Sequence, residues 1–374
     1  MSTIDHARSA LIAGAGIGGL ATASALAQRG WAVEIVEIGA AGSTAGWGLT
    51  LSGPSLRALG SLGLADRCLS AGFGMSVITN VDADDSEGRI DLPRLMGPDR
   101  PAMVGIARPE LHRILLDEAR RLDVVVSNGI SVAAVRQETG PVRVELTDGT
   151  ARVVDLLVGA DGIRSVVRDL IGRPAPIRYH GQMVWRALVP RPGWATGIVT
   201  FFGAGQQCGI VPISSSGAYV FLVESKAEPD VVPDAELAGR MRDLLGPGPD
   251  RVAEIRRLVA RSTSVVRRPV QTALVDAPWS RGSSVVIGDA AHAPSPQMAS
   301  GAALAIEDGL VLAEELADHD DTGSALDAFV GRRRERCAVL VNTSVTIAAL
   351  EQQQRHRDTH PLIASCHELM ASPV

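Results

Sequence analysis

Three glycines near the start of the chain have the spacing G-x-G-x-x-G, which suits contact with phosphate groups. The segment GAGIGG consists of Gly14, Ala15, Gly16, Ile17, Gly18 and Gly19. Gly14 permits a tight turn, Gly16 lets the backbone approach a pyrophosphate, and Gly19 lets a helix pack closely. The free N–H groups and the dipole at the start of that helix favour a bound phosphate. Glu37, at the end of the next apolar run, can accept hydrogen bonds from a ribose diol.

A second stretch with chemical potential is GDAAHAPSPQMASGAALAIEDG, which covers residues 288–309. Gly288 and Asp289 end an apolar run, so that an acidic side chain stands at its end. Small residues follow, so the backbone can come close to a ligand. Gly301 and Ala302 begin a helical run whose N–H groups can face the same ligand. This order of an acid, small residues and a helix start indicates a ligand site.

The elements around the glycine segment indicate a dinucleotide-binding βαβ unit. Residues 9–13 form a short apolar strand, residues 20–29 have the alanine-rich and leucine-rich composition of a helix, and AVEIVE forms a strand that ends at Glu37. A glycine-rich turn with a purely structural role is the alternative. The flanking strands and Glu37 favour nucleotide binding over that alternative.

The rest of the pattern predicts an antiparallel sheet inserted into an α/β chain. From Tyr179 to Glu224 several runs alternate between apolar and polar residues, as strands of an antiparallel sheet do. Helical patterns cover residues 108–122, 234–245, 252–260, 301–317 and 324–356. We therefore predict a Rossmann-like domain in residues 1–177, a mainly antiparallel sheet domain in 178–276, and the rest of the first domain with C-terminal helices in 277–374.

Composition narrows the class of protein. The 374 residues carry a net charge of −6, so no basic surface for nucleic acid or membrane is expected. The four cysteines are far apart and form no metal or disulfide pattern, which favours a reducing cytoplasm. The uncharged run from Ala10 to Ala27 lacks a basic segment before it, so we expect neither a signal peptide nor a membrane anchor.

Three motifs in a fixed order give the chain a family resemblance. They are GAGIGG at 14–19, GADGIRSVVR at 159–168 and the GD stretch that begins at Gly288; Arg108 lies between the first two. Together they resemble the single-component (group A) FAD-dependent monooxygenases, the para-hydroxybenzoate hydroxylase-like aromatic hydroxylases. The resemblance implies non-covalent FAD, NADH or NADPH as a transient cosubstrate, and O2. It also implies hydroxylation of a small aromatic, phenolic or heteroaromatic substrate through a C4a-hydroperoxyflavin.

The resemblance assigns roles to matching residues. Those implied to bind FAD are Gly14, Ala15, Gly16, Ile17, Gly18, Gly19, Glu37, Arg108, Asp161, Gly288, Asp289, Gly301 and Ala302. Arg108 could instead be a surface residue at a helix start, and Arg164 and Arg168 suit a solvated helix face. His292, Glu307 and Asp308 match the motif, and we expect structural roles for them.

The inserted sheet is implied to hold the substrate against the flavin. The residues expected to line that pocket are Met183, Trp185, Phe201, Gln207, Tyr219 and Pro296, although each could equally belong to the core of the sheet. Arg186 could receive a carboxylate or phenolate. Because neighbouring residues of a strand point to opposite faces, only one of Trp185 and Arg186 can point inward.

Rival functions differ in how well the sequence supports them. Flavin-dependent halogenases need a lysine in the N-terminal half, and Lys226 is the single lysine of the chain. A flavin-dependent reductase or dehydrogenase, and a non-enzymatic nucleotide-binding protein, stay open as alternatives. The segment STAGWGLTLSG, with Thr44 and Ala45, lacks an arginine that many relatives carry. Ala299 stands where relatives often have glycine, and it either shifts the flavin or is tolerated in a right-handed helical conformation.

Overall fold

The computed structural model describes residues 7–40, 42, 47–82, 84–137, 140–203 and 206–374. The strands are β1 (Ser9–Ala13), β2 (Ala32–Glu37), β3 (Gly48–Leu51), β4 (Phe73–Met75), β5 (Val77–Val81), β6 (Glu87–Asp91), β7 (Met103–Ala107), β8 (Val125–Asn128), β9 (Val132–Gln137), β10 (Val142–Leu146), β11 (Ala151–Val154), β12 (Leu156–Gly159), β13 (Arg178–Pro190), β14 (Ile198–Gly203), β15 (Gln206–Pro212), β16 (Gly217–Ser225), β17 (Val265–Leu274), β18 (Ser280–Arg281) and β19 (Ser284–Val286). The helices are α1 (Ile17–Ala27), α2 (Gly53–Ser61), α3 (Ala65–Ala71), α4 (Arg108–Arg121), α5 (Val166–Leu170), α6 (Asp234–Leu244), α7 (Asp250–Ala260), α8 (Asp289–His292), α9 (Gly301–Asp318), α10 (Thr322–Gln352) and α11 (His360–Ala371).

A six-stranded sheet carries the glycine-rich turn, and its strand order is β18-β19-β12-β1-β2-β8. Strand β1 is parallel to β2 and β12, and β12 is parallel to β19. Parallel strands are covered on both faces and are therefore almost wholly apolar; Leu11, Ile35 and Leu157 have no exposed surface. The predicted α/β fold with a Rossmann-like domain is confirmed.

A seven-stranded sheet follows, with the order β17-β13-β16-β15-β14-β5-β6. Strand β13 is antiparallel to both β16 and β17, as the alternating sequence predicts. Helices α6 and α7 cover one face of this sheet, where Leu222 packs in one core with Met241 and Ile255. The opposite face is therefore the one that can meet the six-stranded domain.

The structure departs from the predicted domain bounds at β5 and β6. Both lie within residues 1–177, yet β5 pairs in parallel with β14 and adds a hairpin to the seven-stranded sheet. The sequence shows no strand signal here because β6, Glu87–Asp91, is exposed along its whole length and has no apolar alternation. The sheet domain is therefore not one continuous segment of the chain.

The C-terminal helices lie close to their predicted positions. Helix α9 ends at Asp318, one residue beyond the predicted end. Helix α10 ends at Gln352, before the predicted residue 356, and Gln354 just beyond it has a φ of 58° that no helix continues through. In the part of the chain that the structure describes, no helix combines the length and the apolar character that a membrane span requires.

Candidate functional site

A cleft of about 580 Å³ lies where the six-stranded domain meets the open face of the seven-stranded sheet. It brings together parts of all three sequence motifs. The predicted FAD-binding residues that line it are Gly16, Ile17, Gly18, Arg108, Gly288, Asp289, Gly301 and Ala302. The predicted pocket residues that line it are Tyr219 and Pro296.

The glycine-rich turn is built by very close backbone contacts. Gly14 has a φ of 107°, and a Cβ placed there would clash with the carbonyl oxygen of Ala160. A Cβ on Gly19 would clash with the carbonyl oxygen of Gly14. Gly16 has no such neighbour and opens onto the cleft. Gly14 and Gly19 therefore shape the turn, and Gly16 leaves space for a ligand to approach the backbone.

Two helix N-termini point into the cleft. Helix α1 contributes Gly16, Ile17 and Gly18, and helix α9 contributes Gly301 and Ala302. Neither helix has an acidic residue in its first turn. The free N–H groups and the positive dipole ends are therefore available to an anionic ligand.

Small residues hold these two helices close together. Gly18 faces Ala305 of α9, where a Cβ would lie 3.1 Å from the Ala305 Cβ. Gly309 faces Thr22 of α1, where a Cβ would lie 2.6 Å from the Thr22 Oγ1. A side chain at Gly309 would therefore push the helices apart.

Two predicted FAD-binding carboxylates hold the backbone around the cleft. Glu37 accepts hydrogen bonds from the N–H of Ala15 at 2.8 Å and of Gly39 at 2.7 Å. Asp161 accepts from the N–H of Val166 at 2.8 Å and so caps the start of α5. Neither carboxylate lines the cleft. Other residues of the first two motifs line the cleft instead.

Asp289 and Arg108 both line the cleft, where their opposite charges attract each other. Both side chains are accessible from the cleft, although its walls displace much of the surrounding water. This desolvation raises the pKa of Asp289, against the lowering effects of His292 and Arg108. The same desolvation lowers the pKa of Arg108, which Asp289 opposes. Arg108 begins α4 with an exposed side chain, as the surface alternative expects, and it also lines the cleft.

Behind the GD turn lies a fully buried ion network. Asp308 Oδ2 accepts from the Gly288 N–H at 2.8 Å and lies 2.7 Å from His292 Nε2, while Asp308 Oδ1 accepts from Arg333 Nε at 2.8 Å. Burial acts against both charges, yet the ion pair lowers the pKa of Asp308 and raises that of His292 well above its ordinary value. Glu307 joins the network through Arg333 at 3.0 Å.

The buried network also corrects an expectation about the cysteines. The sequence suggests no clustering with histidine, but Cys337 lies within 4.8 Å of both His292 and Asp308. The distance along the chain concealed this contact. Asp308 is already bound by the Arg333 guanidinium, whose positive charge would repel a metal ion at this position.

Arg168 does not lie on a solvated helix face. It is buried, and its Nη1 donates to the carbonyl oxygens of Ile163 at 2.9 Å and Ala290 at 3.2 Å. It therefore joins the second motif to the GD turn. Arg164 is exposed, as expected for a surface position.

The segment after the GD turn bends sharply at Ala299. Its φ of 48° and ψ of 29° are left-handed, so the expected right-handed conformation is wrong. Glycine adopts this region without the Cβ clash that alanine has, which explains why glycine suits the position. Ser295 and Ser300, on either side of the bend, line the cleft, and their hydroxyl oxygens are buried with no hydrogen-bond partner among the described residues.

The predicted pocket residues of the seven-stranded sheet do not all lie on the face that meets the cleft. Trp185 and Phe201 point away from the cleft and pack in the core under α6 and α7. Met183 alternates onto the same face as Trp185. Trp185 Nε1 donates to Glu224 Oε2 at 2.9 Å, which fixes the indole there. Of Trp185 and Arg186, it is therefore Arg186 whose side chain faces the cleft.

The cleft face of the sheet presents Tyr219, Arg186 and Arg268. The Tyr219 ring packs so closely against Gly48 that a Cβ there would clash with its Cδ1. Burial raises the pKa of the Tyr219 hydroxyl, while Arg186 and a hydrogen bond with Thr50 lower it. Gln207 does not line the cleft.

Sequence reasoning missed several residues of the cleft. Arg268 follows Arg267 in β17 and points to the cleft, whereas Arg267 pairs with Glu224 on the opposite face. The sequence alone did not indicate which of these two adjacent arginines faces the cleft. Trp47 and Leu49 also line the cleft. Thr44 and Ala45, of the segment without the expected arginine, lie outside the described residues.

The residues of this cleft fit FAD. Two helix N-termini and Arg108 suit a pyrophosphate, and Asp289 suits the hydroxyls of the ribityl chain. A polar group bound against the segment around Ser295 and Ser300 suits their hydroxyls, because a buried polar group without a partner is costly.

The chain belongs to the FAD binding domain family, whose model matches residues 8–344. The 2-heptyl-3-hydroxy-4(1H)-quinolone synthase of Pseudomonas aeruginosa is 36% identical over 313 residues, which are 81% of this chain and 79% of that protein. The FAD-dependent urate hydroxylase of Mycolicibacterium vanbaalenii is 29% identical over 349 residues, which are 88% of this chain and 85% of that protein.

The fold is likewise that of a solved oxygenase. The tetrameric form of 2-methyl-3-hydroxypyridine-5-carboxylic acid oxygenase has a TM-score of 0.82 and 26% identity, with 97% of this chain and 96% of that chain covered. The protein is therefore an FAD-dependent monooxygenase that hydroxylates an aromatic substrate and takes electrons from NADH or NADPH. The family, cofactor and enzyme class predicted from the three motifs are confirmed.

Proposed function

We propose that the substrate is a small aromatic or heteroaromatic ring that bears an acidic group, either a carboxylate or an ionisable ring hydroxyl. Arg186 carries this proposal. Its side chain lines the cleft, and its Nε is buried with no hydrogen-bond partner among the described residues. A guanidinium group in this state is stabilised by an anionic partner that accepts its hydrogen bonds.

The surroundings of Arg186 support an anionic ligand. Arg108 and Arg268 also line the cleft, and Asp289 is the one acidic side chain among the described residues that line it. We assign Arg108 to the phosphates and Asp289 to the ribityl hydroxyls of FAD. The positive charges of Arg186 and Arg268 then remain for the substrate.

The chain's own groups then have separate tasks in hydroxylation. Bound FAD supplies hydride acceptance and oxygen activation. The N–H groups at the start of α9, at Gly301 and Ala302, stabilise negative charge that develops beside them. Arg186 orients the ring through its acidic group, and Tyr219 and Pro296 cover the ring and exclude water. The relatives named above include a quinolone synthase and a urate hydroxylase, so nitrogen heterocycles belong in the set of candidate substrates.

The proposal is tested with pairs of aromatic compounds that differ only in charge, such as hydroxybenzoates and their methyl esters. We expect the wild-type enzyme to prefer the acid in kcat/KM by about 10- to 100-fold, the range for a hydrogen-bonded charge pair. Arg186→Gln should abolish this preference by lowering kcat/KM for the acid alone. Arg281→Gln, outside the cleft, is the control. No preference in the wild type, or an equal loss for acid and ester in Arg186→Gln, would overturn the proposal.

A further inference from the structure

A polar cluster lies directly behind the loop that lines the cofactor cleft. This cleft loop, residues 295–301, carries Pro296 on its cleft side and Gln297 on its other side. Gln297 Nε2 donates to Gln182 Oε1 of β13 at 3.0 Å and to Glu351 Oε2, near the end of α10, at 3.2 Å. The cluster thus joins the cleft loop to the inserted sheet and to the C-terminal helix.

One atom of this cluster has no partner. Gln297 Oε1 is buried without a hydrogen bond among the described residues, although both protons of its Nε2 are used. A carboxylate cannot satisfy that oxygen because it only accepts hydrogen bonds. A protonated carboxyl of Glu351 can accept from Nε2 with one oxygen and donate its O–H to Oε1 with the other. This paired acid–amide contact satisfies all the polar atoms that the two groups direct at each other.

The surroundings of Glu351 favour the protonated form. Burial raises the pKa of Glu351 to about 7, and the amides of Gln297 and Gln182 oppose this only in part. Three ionisable groups among the described residues of adjoining elements have partners other than Glu351. His180 of β13 lies 2.7 Å from Thr272 Oγ1, Arg355 pairs with Asp358, and His356 stacks on Phe202 beside Asp82.

We propose that Glu351, in its protonated form, is a positioning residue that fixes the cleft loop against the cofactor through a paired acid–amide contact with Gln297. Loss of the proton removes one of the two hydrogen bonds and leaves a partly buried carboxylate facing neutral amides. The loop is therefore held firmly at mildly acidic pH and less firmly at alkaline pH. This inference rests on FAD binding in the cleft and does not depend on the identity of the substrate.

The direction of the pH effect follows from the raised pKa. Glu351 holds its proton more tightly in the folded protein than in the unfolded chain, where the pKa is near 4.5. Its contribution to stability is fully present below pH 4.5, declines as the pH rises, and is lost once the pH passes about 7. FAD affinity should follow the same direction, with its transition near pH 7 in the folded protein.

Two substitutions separate the paired contact from simple packing. Glu351→Gln keeps an amide that can donate to and accept from Gln297 at every pH, so the loop stays fixed. Glu351→Leu fills similar space but makes neither hydrogen bond, so the loop is loose at every pH. Glu335→Gln, at an exposed position of α10, removes the same charge away from the cluster and serves as the matched control.

The readouts are the Kd for FAD between pH 5.5 and 8.5 and the hydrogen exchange of residues 295–301 in protein without substrate. We expect wild type and Glu335→Gln to lose about fivefold in FAD affinity across a transition near pH 7, the effect of about one hydrogen bond. Glu351→Gln should keep the low-pH affinity and slow exchange throughout, and Glu351→Leu should show weak affinity and fast exchange throughout. A transition that persists in Glu351→Gln, or equal affinities of Glu351→Leu and wild type at pH 6, would overturn the proposal.

Discussion

The charged side chains of the cleft show how single residues divide the work of binding. Among the described residues that line it, Arg108, Arg186 and Arg268 outnumber the single acid, Asp289. Such an excess of positive charge suits a cofactor with a pyrophosphate and an acidic substrate. Asp289 is then understandable as an acceptor for hydroxyl groups, with its charge offset by Arg108 and His292.

Asp289→Ala should weaken FAD binding by about tenfold or more, since a charged acceptor of hydroxyl hydrogen bonds is lost. The measurement is the Kd from quenching of flavin fluorescence during titration of apoprotein. Asp327→Ala, at an exposed position of α10, is the control and should bind FAD like the wild type. Full flavin occupancy in purified Asp289→Ala would count against the assigned role.

At the residue scale, the sequence indicated which segments lie near the site, but it did not indicate which contacts each side chain makes there. Several motif residues lie at the cleft, whereas Glu37 and Asp161 bind backbone N–H groups that shape it. A motif match does not reveal whether a side chain or the backbone beside it faces the ligand. Arg168 and Ala299 show the same limit, because burial and a left-handed φ depend on the folded surroundings.

At the scale of elements, the paired N-termini of α1 and α9 are the central feature of the cofactor site. The two helices belong to distant parts of the sequence and meet through Gly18 against Ala305 and Gly309 against Thr22. Their close approach puts two sets of free N–H groups on one cleft. The packing of small residues thus has a direct consequence for binding.

Gly309→Ala should destabilise the protein by about 1–3 kcal/mol, because the added methyl group meets the backbone of Thr22 as well as its hydroxyl. FAD affinity should fall with it as the helix ends separate. Chemical denaturation gives the stability and fluorescence titration gives the affinity.

Gly239→Ala is the matched control for that variant. Gly239 lies within α6, and a Cβ placed on it would meet no atom of the described residues within 4 Å. Alanine there should stabilise the protein by about 1 kcal/mol, since glycine is the poorer helix former. If Gly309→Ala behaved like this control, the close contact between α1 and α9 would not be important for the site.

Long, regular elements were predictable and short ones were not. The apolar periodicity of α4, α9 and α10 indicated their positions to within a few residues. Strands β3, β4 and β7 form a small sheet that had no clear alternation, and β3 supplies part of the cleft. The face of β13 was undetermined because its sequence, MVWRALVP, offers a large residue on either side.

At the scale of the whole molecule, the C-terminal helix is connected to the cofactor site by buried charges. Arg57 and Arg336 donate to the carbonyl groups at the end of α11, including that of Met370. Arg336 also binds Glu307, which shares Arg333 with Asp308 under the GD turn. Cations at a helix C-terminus are favourable, and here they join distant parts of the chain into one structure.

The overall architecture followed from the order of the three motifs and from the change in periodicity after Tyr179. The assembly of the inserted sheet could not be predicted, because β5 and β6 come from an earlier segment and β5 pairs with β14 over a long sequence distance. Such long-range pairing leaves no mark in local patterns. The buried network of His292, Asp308 and Arg333 was invisible for the same reason.

The central claim, that this flavoprotein inserts oxygen into an acidic aromatic ring, is tested most directly by turnover under ¹⁸O₂ with mass analysis of the product. Compounds for this assay are those that stimulate NADH or NADPH oxidation by the FAD-loaded enzyme. We predict a product that gains one labelled oxygen atom, with formation dependent on O2. A product without added oxygen would contradict the account and would identify a dehydrogenase instead.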